Sequence, residues 1–152
     1  MRLTANFTLH ELTRSATAER LRLDNTPPPG LLPQLQETAE LLQRIREHLQ
    51  RPVIVTSAYR GPEVNRAVGG VTSSDHTRGQ AADIVVPAYG TPYEVAKALA
   101  PQVSVLGIGQ LILEGVKGKQ WVHVSTRHPE KLVNRVITIT DAGAQVGIQA
   151  LA

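Results

Sequence analysis

Ser74-Asp75-His76-Thr77-Arg78-Gly79-Gln80-Ala81-Ala82-Asp83 is the stretch on which the reading of this chain turns. It leaves a polar turn at Gly79 and enters the run Ala81-Ala82-Asp83-Ile84-Val85-Val86, an apolar strand interrupted by one carboxylate. A carboxylate buried in such a strand is costly unless a cation compensates it. His76 precedes the turn, and a hairpin-like path through Gly79 can bring its ring and the Asp83 carboxylate to one point. A second strand-like run, Trp121-Val122-His123-Val124-Ser125, is interrupted in the same way by a histidine. Imidazole and carboxylate are both zinc ligands, and three of them leave a fourth position open to water. The bland reading uses the same residues: His76 on a surface loop, Asp83 bonded to backbone, His123 satisfied in the core. Spacing alone leaves both readings open.

The flanking sequence predicts the frame. Thr8 and Glu11 form a capping box that opens a short helix, continuing brokenly through Ala16 to Arg22. Asn25-Thr26-Pro27-Pro28-Pro29-Gly30 stops it, because prolines remove donors and fix φ. Leu31, Leu32, Leu35, Ala39, Leu42, Ile45 and Leu49 make an apolar stripe at helical spacing, with Pro33 tolerable in the first turn. Val53 to Ser57 is a β-branched strand, and Ala81 to Val86 a second. Thr91-Pro92-Tyr93-Glu94 opens a helix to about Ala100. Gln110 to Glu114 and Trp121 to Ser125 read as strands around a hairpin loop, Gly115 to Lys119. Val136 to Thr140 reads as an edge strand. Asp141 to Ala152 reads as a loosely held tail rich in Gly and Ala. The expectation is a single domain over 1–152, with its core at about 7–140, of the α+β class. A small antiparallel sheet carries the metal site and helices pack on it.

Composition narrows the function classes. With 152 residues, 41% of them hydrophobic and 19% charged, the chain can bury one core. The absence of cysteine excludes disulfides, thiolate metal sites and cysteine nucleophiles. A net charge of +3, spread over scattered Lys and Arg, and five aromatic residues argue against nucleic-acid binding. No run approaches the roughly 18 apolar residues of a membrane span, and the first residues show no secretory signal.

Ser74-x-His76-x-x-Gly79-x-Ala81-x-Asp83, followed by Trp121-x-His123, resembles the signature of the D-Ala-D-Ala peptidase family of zinc peptidases, grouped with lysostaphin-type and hedgehog-type domains. Thr56-Ser57-Ala58-Tyr59-Arg60 resembles the family's Ser-x-Tyr-Arg block, which continues from Asn65 to Gly70. Phe7 to Leu12 and Asn25-Thr26-Pro27-Pro28 resemble its phage-associated branch. The resemblance implies that His76, Asp83 and His123 hold zinc. It implies that Arg60, helped by Tyr59 and Ser74, contacts substrate, since a guanidinium is permanently charged and donates in a fork. Arg60 in a surface salt bridge and Ser74 in a local turn bond are the ordinary alternatives. The implied activity is hydrolysis of peptidoglycan stem peptides, by carboxypeptidase or L-alanyl-D-glutamate endopeptidase action. A chain made in the cytoplasm without a signal would reach the wall through a holin or as part of a virion.

One position departs from the family. An acidic general base usually stands three residues before the last histidine, and here that residue is Gln120. Glu114, at the end of Leu111-Ile112-Leu113-Glu114, is the expected substitute, because the hairpin folds Trp121 and His123 back beside it. On that expectation a carboxylate restored at 120 is tolerated or activating. The rival is a zinc-stabilised binding or virion structural module of the same fold that has lost catalysis.

Overall fold

The structure is a computed structural model that describes residues 1–151. Among these residues six α-helices form: α1 (Leu9–Thr13), α2 (Ala16–Leu21), α3 (Leu32–Leu49), α4 (Pro62–Ala67), α5 (Pro92–Leu99) and α6 (Val103–Leu106). Six strands form: β1 (Ile54–Ser57), β2 (Ala81–Val85), β3 (Gln110–Val116), β4 (Lys119–Ser125), β5 (Val136–Thr140) and β6 (Gly143–Val146). They make one sheet in the order β1-β2-β4-β3-β5-β6.

The helices follow their local signals. Thr8 with Glu11, and Thr91 with Glu94, close the expected capping boxes of α1 and α5. α3 buries Leu35, Ala39, Leu42, Ile45 and Leu49 on one side and ends at Gln50 in the left-handed region, φ 54°. Pro33 sits in its first turn, where a missing N–H costs nothing.

The sheet is larger than the small antiparallel one expected, and it is mixed. β5 runs parallel to β3, with Leu111 opposite Val136 and Gly115 opposite Thr140. β4 ends at the edge of the sheet where β3 begins. The 126–135 connection stays at that edge and crosses β3, so β5 must start beside the start of β3. β5 is not an edge strand either, because β6 pairs along its other side. The tail is accordingly tied down. Thr138 Oγ1 donates to the Gly147 carbonyl at 2.8 Å and accepts the Gln149 N–H at 2.9 Å. Leu151 packs against the core, and Ala152 lies outside the described residues. The β3–β4 loop is also shorter than five residues. Val116 pairs with Lys119, leaving the two-residue turn Lys117-Gly118 with φ of 53° and 78°. Two successive positive φ values match the right-handed twist of a tight hairpin.

Directly paired strand residues share a face. Ala82, Val124, Leu111 and Val136 form one row, and Ile84, Val122, Leu113 and Thr138 the next. The apolar members of these rows join Leu35, Leu42 and Ile45 of α3 and Val95 and Leu99 of α5 in one core. Each fully buried Leu, Ile or Val there contributes roughly 1.5–3 kcal/mol. The helix side of the sheet is therefore the source of stability.

Candidate metal centre

Alternation along the same strands points the intervening residues to the other face. There Ser57, Asp83, His123 and Ile112 form a row across β1, β2, β4 and β3, and Glu114 stands beside Trp121 in the next. The third member arrives from the turn. Residues Asp75–Arg78 form one 3-10 turn that ends at Gly79 with φ 69°. The positive φ favours glycine at position 79, and a Cβ there would lie 3.2 Å from Leu35 of α3, close enough that the leucine would have to shift. Thr38 of α3 donates to the Gly79 carbonyl at 2.7 Å and fixes the turn against the core.

His76, Asp83 and His123 come together as expected, with one ligand atom from each lying within 4.8 Å of the others. Asp83 Oδ1 lies 3.3 Å from His76 Nε2 and 3.0 Å from His123 Nδ1. All three residues are buried. His76 Nδ1 is 2.7 Å from the Ala58 carbonyl, which can only accept, so Nδ1 carries the proton. That leaves Nε2 as the ring nitrogen facing Asp83, an orientation a metal ligand needs. Burial works to raise the Asp83 carboxyl. The charge of His76 and the hydrogen bonds and charge from the two rings outweigh it and hold the group well below the usual carboxylate range. Burial pulls the His123 ring down, but the hydrogen bond and charge of Asp83 win and raise it. An ionised carboxylate held between two imidazoles, out of water, fits a divalent cation of the zinc type.

Two further groups border the cluster. Glu114 Oε1 lies 3.9 Å from His123 Nδ1. Its carboxyl is raised by burial and by the Asp83 charge, against the smaller pulls of His123 and Arg60. The Arg60 guanidinium is lowered by burial and supported by the Asp83 and Glu114 charges. Its Nη2 donates to Ser74 Oγ at 3.4 Å, while its buried Nε has no partner among the described residues. Ser74 also makes the local turn bond, accepting the His76 N–H at 3.2 Å.

Tyr59 is 3% exposed and packs among the core residues. Burial and the Asp24 charge raise its phenol. Gln120 pairs with Gly115, one step out of phase with Trp121 and His123. It therefore belongs to the opposite face, where a carboxylate could not serve this cluster.

Sequence reasoning passed over Asp75. Its Oδ1 accepts Arg127 Nε at 2.7 Å and its Oδ2 accepts the Ser125 hydroxyl at 2.9 Å. The pair staples the turn carrying His76 to the end of the strand carrying His123. An acidic residue beside a histidine in a turn was the available signal, but its partners lie about fifty positions away in sequence.

A paired carboxylate and imidazole cluster, bordered by a second carboxylate and a guanidinium, is the side-chain set of a metal-dependent hydrolase. The chain belongs to the Peptidase M15 family, whose model matches residues 5–125, and so to the D-Ala-D-Ala carboxypeptidase-like metallopeptidases. No curated protein matches it significantly. The matched range takes in every residue of the cluster and stops at the end of β4.

Proposed function

We propose that the protein is a zinc-dependent peptidase hydrolysing peptide bonds of peptidoglycan stem peptides. The observation that carries this reading is the buried Asp83 between His76 and His123 with Glu114 Oε1 3.9 Å from the same His123 nitrogen. His76 through Nε2, with Asp83 and His123, would hold the zinc. Zinc bound there supplies Lewis acidity, polarising the scissile carbonyl and lowering the pKa of water towards ~7.

The chain's own groups supply the rest. Glu114 takes the proton of the attacking water and hands it to the leaving amine. Its raised carboxyl brings it nearer to neutral pH, as that task requires. Arg60 binds the substrate carboxylate or the oxygen on which charge develops, with Ser74 steadying its guanidinium. The unpartnered Nε of Arg60 supports this role, because a buried donor without an acceptor is otherwise costly. The sheet's alternation supports Glu114, and not position 120, as the base.

Carboxypeptidase and L-alanyl-D-glutamate endopeptidase action both fit this set. The phage-like opening segments favour a phage or prophage wall hydrolase, released through a holin or carried in a virion. Nucleic acid is not a partner on this reading, and no helix among the described residues is long and apolar enough to cross a membrane. Digestion of purified peptidoglycan with and without a chelator, with product masses, tests the proposal. Metal-dependent release of stem-peptide fragments is expected. A protein that binds zinc but leaves the wall intact would favour the structural-module reading.

A further inference from the structure

We infer that Asn25 is a positioning residue for Arg60. The inference rests on the role given to Arg60 above and deepens it. Asn25 lies in the connector between α2 and α3, and its side-chain hydrogen bonds go to none of the cluster residues. Its Oδ1 accepts the Gly61 N–H at 2.7 Å. Its Nδ2 donates to the Tyr59 carbonyl at 3.1 Å and to the Thr13 carbonyl at 2.7 Å. The first two bonds grip the peptide groups on either side of Arg60. The third ties that grip to the end of α1.

The opposite side of the segment is held as well. The Arg60 N–H donates to the His76 carbonyl at 3.1 Å, and the Tyr59 N–H to the Leu12 carbonyl at 2.8 Å. Residues 59–61 are thus fixed between α1, Asn25 and the turn that carries His76. What this grip leaves open for a ligand is the Arg60 Nε, which is buried without a protein partner among the described residues. Only a carboxamide suits the position, since it offers one acceptor and two donors in a single short plane. Aspartate has the shape without the donors, and alanine has neither.

Misplacement of a reacting group by about 1 Å, caused at a distance, can cost ~10²-fold. With soluble stem-peptide fragments as substrate, Asn25→Ala and the isosteric Asn25→Asp should each lose about 10- to 10²-fold in kcat/KM, with zinc content unchanged. Because Asn25 acts through Arg60, the Asn25→Ala/Arg60→Ala double variant should be no slower than Arg60→Ala alone. Losses that multiply would mean that Asn25 acts independently, and would overturn the inference.

A spectroscopic arm needs no turnover. The Arg60 Nε–H resonance, assigned by its disappearance in Arg60→Ala, should be sharp in the wild type. It should be broadened by exchange in Asn25→Asp, which keeps the side-chain volume if Asn25→Ala does not fold. An unchanged resonance in Asn25→Asp overturns the positioning role. Wild-type turnover by Arg60→Ala would instead remove the substrate role of Arg60, leaving the resonance to decide on Asn25.

Discussion

The two faces of the sheet are made by the same strands and do opposite things. Leu113 points to the helices and is fully buried, while its neighbour Glu114 points to the cluster of His76, Asp83 and His123. Val122 and His123 divide in the same way, as do Ala82 and Asp83. Stability and chemistry are therefore interleaved with a period of two, not assigned to separate elements. A one-residue slip in register would put the carboxylate and imidazole among the leucines and the leucines in the cleft. The helix face is what forbids that slip, so the apolar core specifies which side chains meet in the site.

Neighbouring substitutions on β3 should separate the faces most clearly. Glu114→Gln should cost ~10²–10⁴-fold in turnover, with zinc still bound and thermal unfolding unchanged. Equal turnover in assays on soluble wall peptides would remove Glu114 as the base. Leu113→Ala, one residue earlier, should destabilise by about 2–5 kcal/mol in denaturant unfolding. The folded fraction of that variant should still cleave at near the wild-type rate. A selective loss of activity there would show that the faces are not separable.

Smaller effects sharpen the same contrast. Thr91→Ala removes the cap of α5, a helix on the stabilising side, and should cost about 0.5–2 kcal/mol with zinc content untouched. The smallest effect belongs to Gln120→Glu. Lying on the helix side of β4, it should neither activate the wild type nor rescue Glu114→Gln. Rescue would mean that the register read for β4 does not hold in solution.

Much of this was legible because the decisive signals are local. The capping boxes at Thr8 and Thr91, the stripe of α3 and the interrupted strands at Asp83 and His123 each need only a few adjacent residues. What escaped reading depends on distant pairing. β6 has four exposed residues and no apolar pattern, and it is a strand only because β5 offers it an edge. The Asp75 staple joins residues about fifty positions apart. The grip of Asn25 joins the connector before α3 to Thr13, Tyr59 and Gly61. The place of Gln120 followed from alternation once the strand was seen to begin at Lys119 instead of Trp121. A family spacing counted along the sequence says which face a residue meets only once both residues are known to lie in one regular strand.

The central claim is that His76, Asp83 and His123 hold one zinc ion on the face of the sheet turned away from the core. Elemental analysis of purified wild-type chain beside His76→Ala tests it most directly. One zinc per chain in the wild type, and its loss in a His76→Ala protein that still folds on its apolar core, is the expected result. Full and equal occupancy in His76→Ala would contradict it.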